Sequence, residues 1–141
     1  IPDFETRKSL AMMMAGMGRT PDYFVEKIRP EDFSNYIKNF DKEFSSTFTL
    51  DDYEYQLKAI VNHDISKSFG GSMEEAAKSI KAKLFLIISE TDLLINPTET
   101  KRFAELTKAK TLILNNNCGH LAVSCEIERC KKEISEFLDN K

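Results

Sequence analysis

The sequence predicts an α/β fold with parallel strands, on three observations. Two short apolar runs, Leu84-Phe-Leu-Ile-Ile88 and Leu112-Ile-Leu114, have the length and branched composition of buried strands. Each run ends in a polar loop, and a helical pattern follows each loop. The resulting order from Met73 to Leu138 is helix, strand, helix, strand, helix, which makes the strands parallel neighbours joined by a right-handed crossover. The preceding half, up to about residue 66, carries helical patterns only.

The elements follow in order. Phe4 to Met17 is rich in Leu, Ala and Met, and Gly18 is the natural stop. Thr20-Pro21-Asp22 reads as an N-cap with proline at the first helical position, opening a helix to Ile28. Arg29-Pro30-Glu31-Asp32 reopens the chain into Phe33 to Ile37. Asp51 or Asp52 is read as the cap of a helix through Tyr53, Leu57, Ile60 and Val61. Phe24, Phe33, Tyr36, Phe40, Phe44, Phe48, Tyr53 and Tyr55 make this half dense in aromatics. These helices should meet the α/β part mainly through aromatic and methionine side chains. The stretch from Ser66 to Ser72, with Gly70-Gly71, is the linker, which divides the chain into 1–66 and 67–141. Beyond it, Ser72 caps a short helix, with Glu75 placed to complete a capping box. Asn96-Pro97-Thr98 opens the helix between the strands. Leu121 to Leu138 reads as one last helix, with apolar positions 123, 127, 130, 134, 137 and 138 on a single stripe.

Composition excludes several functions. The chain has 141 residues, 41% hydrophobic and 30% charged, with a net charge of −3 and a pI near 5.5. Its Lys and Arg are scattered among acids, so it has no basic footprint for nucleic acid. Its apolar runs fall short of the roughly 18 residues of a membrane span. Three cysteines, Cys118, Cys125 and Cys130, are an odd number in one cluster. They do not read as a disulfide framework, and a reducing, cytoplasmic compartment is expected. The sequence starts at Ile1-Pro2 without methionine, as expected of a piece of a longer protein.

The chemistry concentrates after the two strands. Ser-Glu-Thr-Asp92 follows the first, and Asn-Asn-Asn-Cys-Gly-His120 follows the second. In open α/β sheets functional groups gather beyond the carboxyl ends of the strands. Asp92 and His120 should therefore meet in adjacent loops. An aspartate that accepts from an imidazole N–H fixes the tautomer, and the other ring nitrogen can then take a proton from a nucleophile. Gly119 would permit a sharp turn before the histidine. The plainer alternative makes Asp92 a loop cap and His120 an ordinary residue at a helix start.

Other clusters invite blander readings. Cys118, His120, Cys125 and Cys130 lack a C-x-x-C pair, so no metal site is assigned, and Cys130 falls on the apolar stripe as a core residue. His63-Asp64 reads as a helix end. Met12-Met13-Met14 suits packing under other helices or the lining of an acyl pocket. Gly70-Gly71-Ser72 reads as a hinge in preference to an anion cradle.

The segments KAKLFLIISETDLLINPTET and AKTLILNNNCGHLAVSCEIERCKKEISEFL resemble the C-terminal part of α/β-hydrolase-fold enzymes. In that family an acid follows one strand and a Gly-His pair follows the next. GRTPDYF and FTLDDYEYQLKAIVNHDIS resemble the helical lid of homoserine O-acetyltransferases within it. The resemblance implies the C-terminal portion of an α/β-hydrolase fold: a lid over 1–66, then an incomplete sheet of two parallel strands with flanking helices. It implies Asp92 and His120 as catalytic acid and histidine, small-molecule substrates, no tightly bound cofactor, acetyl-CoA as acyl donor, and a homodimer through the lid helices. Esterase or other hydrolase activity is the alternative within the enzymes, and a non-catalytic helical interaction module is the alternative outside them.

Two positions depart from the acetyltransferase pattern. Leu121 stands where an Asp follows the catalytic histidine, and no Arg lies between Arg7 and Arg19 in the first lid helix. The sequence also has no G-x-S-x-G nucleophile elbow. In this fold the nucleophile precedes acid and histidine in the chain, so a serine upstream of Ile1 is expected, and the chain alone is expected to be inactive.

Overall fold

The computed structural model describes residues 4–47 and 49–139, with backbone only for residues 4–7, 44, 45 and 47. Phe48 and the side chain of Phe44, both among the expected lid aromatics, lie outside that description, as do Ile1, Pro2 and the Arg7 side chain.

Four helices come first: α1 (Phe4–Met17), α2 (Pro21–Lys27), α3 (Phe33–Thr47) and α4 (Leu50–Asn62). Among the described residues up to 66 there is no strand. Thr20 caps α2 as its sequence predicts, its hydroxyl accepting from the Tyr23 amide at 3.2 Å, with Pro21 at the first helical position. The cap of α4 is a correction. Thr49, not Asp51 or Asp52, is the N-cap, and Asp52 returns a bond to the Thr49 amide at 2.9 Å in a reciprocal capping box. Helices α1 and α3 pack together, and the Tyr53 hydroxyl on α4 donates to the Met14 sulfur on α1. Burial raises the pKa of Tyr53 above its ordinary value.

The second half runs α5 (Met73–Ser79), β1 (Phe85–Ser89), α6 (Pro97–Thr107), β2 (Lys110–Leu114), α7 (Ala122–Cys125) and α8 (Ile127–Asp139). Before α5, Gly70 and Gly71 both take positive φ, which the tight turn requires and other residues rarely adopt. Ser72 caps α5 through the Glu75 amide, but the box is half made, because Glu75 pairs with Lys78 instead of returning to the cap.

The strands pair in parallel, with Ile87 opposite Leu112 and Ser89 opposite Leu114. Side chains alternate across a strand, so Phe85, Ile87, Leu112 and Leu114 share one face and Leu86, Ile88, Thr111 and Ile113 the other. The first face packs with Ala122 and Cys130 as the main core cluster, and the Phe137 ring on α8 lies 5.4 Å from that of Phe85. Helix α6 lies against β1, with Ala104 buried.

The predicted single last helix is two. The chain leaves helical geometry at Glu126, where φ is −129°, and α8 restarts at Ile127. Of the predicted stripe only Cys130 is fully buried, while Val123, Ile127, Ile134 and Leu138 keep large exposed areas.

The aromatic rings of α2 and α3 pack on one another, with Phe24 edge-on to Phe33 and Tyr36. Hydrogen bonds also cross from the α1–α2 turn and α2 to the second half. Thr20 bonds the Asn117 carbonyl, the Asn117 amide donates to Glu26 at 2.8 Å, and Arg19 reaches the Cys125 sulfur.

Candidate active site

Asp92 lies three residues past the end of β1 and His120 six past the end of β2. Because the strands are parallel and in register, both loops leave the same edge of the sheet. His120 Nδ1 stands 2.9 Å from Asp92 Oδ2. The other carboxylate oxygen, Oδ1, accepts from the amides of Leu94 at 2.8 Å and Ile95 at 2.9 Å. Asp92 is therefore both loop cap and histidine partner, one role to each oxygen. With Nδ1–H donating to Asp92, Nε2 carries the lone pair and is available to a third group. The Asp92 side chain is 12% exposed and that of His120 40%, so the carboxylate is sheltered and the imidazole accessible.

The loop into His120 is held from several sides. Gly119 has φ +58°, and a Cβ there would lie 3.1 Å from the Arg19 Cα, so glycine is required both for the turn and for the close approach. Ser89 donates to the Gly119 carbonyl at 2.7 Å, and Thr91 to the Asn116 carbonyl at 2.7 Å. Asn116 in turn donates to Glu126 at 2.6 Å. That bond, and then one from Arg129, holds the Glu126 carboxyl below its ordinary range. Arg19 lies over the Tyr23 ring at 4.6 Å. Sequence reasoning missed Ser89 and Thr91, and it read Thr20 as a helix cap but not its bond to the Asn117 carbonyl. The only sequence signal for Ser89 and Thr91 was that hydroxyl residues stand at and just past the end of β1.

Cys118 and Cys125 form a disulfide, although the three cysteines do not read as a disulfide framework in the sequence. The odd count is resolved by leaving Cys130 free and buried. The bond brackets His120, joining the loop before it to the end of α7. It removes two thiols from any metal-ligand set. It also removes the cysteine argument for a reducing compartment. Among the described residues, no helix is long and apolar enough to cross a membrane.

The remaining clusters do not join the site. His63 is the C-cap of α4, and Asp64 accepts from the amide and hydroxyl of Ser66 instead of meeting it. Met12 and Met13 are about half exposed.

The structure superposes on an acetylester hydrolase from Corynebacterium glutamicum with a TM-score of 0.68 at 18% identity, covering 84% of this chain and 35% of that one. The fold is that of part of an α/β hydrolase. In sequence the chain resembles homoserine O-acetyltransferases. It is 27% identical over 134 residues to that of Thermus thermophilus, covering 93% of this chain and 34% of the relative. It is 32% identical over 109 residues to that of Nautilia profundicola, covering 74% and 29%. The chain thus spans about a third of the length of these curated relatives or less. No protein-family profile matches it.

Proposed function

We propose that this chain is the acid- and histidine-bearing part of a serine-nucleophile acyltransferase or ester hydrolase. The observation that carries the reading is the 2.9 Å bond between His120 Nδ1 and Asp92 Oδ2 beyond the carboxyl ends of two parallel strands. His120 Nε2 takes the proton of a serine supplied from outside this chain and returns it to the leaving group. Asp92 holds the tautomer and stabilises the imidazolium that forms. An acyl-serine joins the two half-reactions, and acetyl-CoA is the acyl donor if transfer is the outcome. Residues 1–66 form a lid over this site and 67–141 part of the catalytic core. The exposed Leu57, Ile60 and Val61 on α4 support pairing with a second copy through the lid.

Hydrolysis, or transfer to an uncharged acceptor, is favoured by a specific observation. Leu121, next to His120, is 39% exposed and carries no acceptor for a substrate ammonium. Leu93 and Ile95 on the Asp92 loop are likewise exposed, so apolar residues flank the pair. The test is turnover of nitrophenyl acetate by the longer protein, with and without His120→Ala. Wild-type turnover that the variant lacks supports the proposal, and an unaffected variant removes it.

A further inference from the structure

The loop from Asn115 to Cys118 lies outside helix and strand, and Gly119 opens a 3-10 turn in which its carbonyl accepts from the Ala122 amide; side chains add donors to the carbonyls of this stretch. Three of them are met by side-chain hydroxyls from distant parts of the chain. Thr91 takes the Asn116 carbonyl at 2.7 Å, Thr20 the Asn117 carbonyl at 2.8 Å, and Ser89 the Gly119 carbonyl at 2.7 Å. Ser89 differs from the other two in where it acts. Its acceptor belongs to the peptide unit whose nitrogen is that of His120. Ser89 is also the last residue of β1, paired in register with Leu114 at the end of β2, so its hydroxyl is carried by the most regular part of the molecule. On another side of Gly119 stand the Gly18 carbonyl and the Arg19 backbone, at 3.1 to 3.2 Å from where a Cβ would sit. The peptide before His120 is thus held between a strand end and the turn joining α1 to α2.

We propose that Ser89 is a positioning residue for His120, with Thr20 and Thr91 steadying the loop behind it. The inference rests on the acyl-transfer reading above. Asp92 orients the imidazole from its Nδ1 side, but a single hydrogen bond leaves the ring free to pivot about it. Ser89 fixes the backbone from which the ring projects. Two anchors, one at the ring and one at the peptide, together define where Nε2 points. Both come from the β1 end, so they move as a unit relative to the helical half. Thr20 adds the link to that half: it caps α2 and holds the Asn117 carbonyl through its own amide, at 3.3 Å, as well as its hydroxyl.

The experiment uses the longer protein with nitrophenyl acetate, and the 141-residue chain for spectroscopy. Displacing a catalytic group by about 1 Å costs about 100-fold, so Ser89→Ala should lower kcat by about 10- to 100-fold. KM should change less than about twofold, since the Ser89 hydroxyl is committed to the Gly119 carbonyl. Ser89→Thr, which keeps the hydroxyl and suits a strand, should restore most of kcat, and Ser89→Cys, a weak donor, should fall between. By proton NMR of the 141-residue chain, the downfield His120 Nδ1–H signal should shift or broaden in Ser89→Ala and return in Ser89→Thr. Unchanged kcat in Ser89→Ala, or equal loss in Ser89→Ala and Ser89→Thr, overturns the proposal. If His120→Ala is inactive in that same series, the acyl-transfer reading still stands. If His120→Ala is fully active, that reading fails instead, and the NMR signal still decides whether Ser89 positions the ring. Should Ser89→Ala not fold, Ser89→Cys and Thr20→Val carry the same comparison.

Discussion

His120 Nδ1 and Asp92 Oδ2 are 2.9 Å apart although 28 positions separate them in the chain. The intervening residues make one helix and one strand, and the parallel pairing of β1 with β2 returns the chain to the same edge. The Leu94 and Ile95 amides hold the opposite oxygen of Asp92, so the acid's orientation is independent of the histidine. The pair is therefore formed by residues of this chain alone.

The 141-residue chain alone should have no esterase or acetyltransferase activity. It contains no G-x-S-x-G turn, and loss of a triad nucleophile costs about 10⁶ in turnover. The check is nitrophenyl ester turnover by the purified chain. Turnover that His120→Ala abolishes would reveal a nucleophile among these residues.

Reduction of the Cys118–Cys125 bond should destabilise the chain by about 2 kcal/mol, from the entropy of closing so short a loop. Urea midpoints with and without reductant measure it. Thiol labelling of the unfolded, unreduced chain should modify one cysteine, the buried Cys130, and labelling after reduction should modify three. Three labelled thiols without reductant would show that the bond does not form.

Stability should also fall at acid pH through Glu126. Its folded-state pKa is depressed by the bonds from Asn116 and Arg129. A depressed carboxyl contributes stability above its unfolded pKa and loses it as pH falls through the folded value. Glu126→Gln should therefore flatten part of the acid limb when urea midpoints are compared from neutral pH down to about pH 3. An acid limb identical to wild type would mean that the Asn116–Glu126 contact contributes nothing.

The longer protein should prefer uncharged esters or acceptors to homoserine. Leu121 cannot accept from a substrate ammonium, and residues 9–17 offer no Arg for its carboxylate. A charged amino acid in an enclosed site without partners faces an uncompensated cost of several kcal/mol, roughly. Specificity constants for acetyl-CoA plus homoserine, set against a panel of simple esters, measure this. Homoserine winning by orders of magnitude would mean that residues elsewhere supply the charges.

Much of this was legible in the sequence, for identifiable reasons. Leu84 to Ile88 and Leu112 to Leu114 are apolar runs bounded by polar loops, so the strands, their parallel order and the positions of Asp92 and His120 followed from local pattern. Thr20 was readable as a cap because Pro21 follows it. What was not readable depends on tertiary approach. The partners of Ser89 and Thr91 are backbone carbonyls 30 and 25 residues away, which no residue type announces. Counting cysteines misled, since pairing is decided by separation in space: a short turn and α7 bring Cys118 and Cys125 to a Cα separation of 6.5 Å. Periodicity ran through Glu126 without a break because the apolar stripe continues on both sides of it.

The central claim is that His120 and Asp92 act as an oriented acid–base pair in acyl chemistry. The most direct test is kcat of the longer protein on nitrophenyl acetate for wild type, His120→Ala and Asp92→Asn. Asp92→Asn should cost about 10⁴ and His120→Ala at least as much. Both variants should keep the wild-type fold by circular dichroism. Turnover by either within a few-fold of wild type would contradict the account.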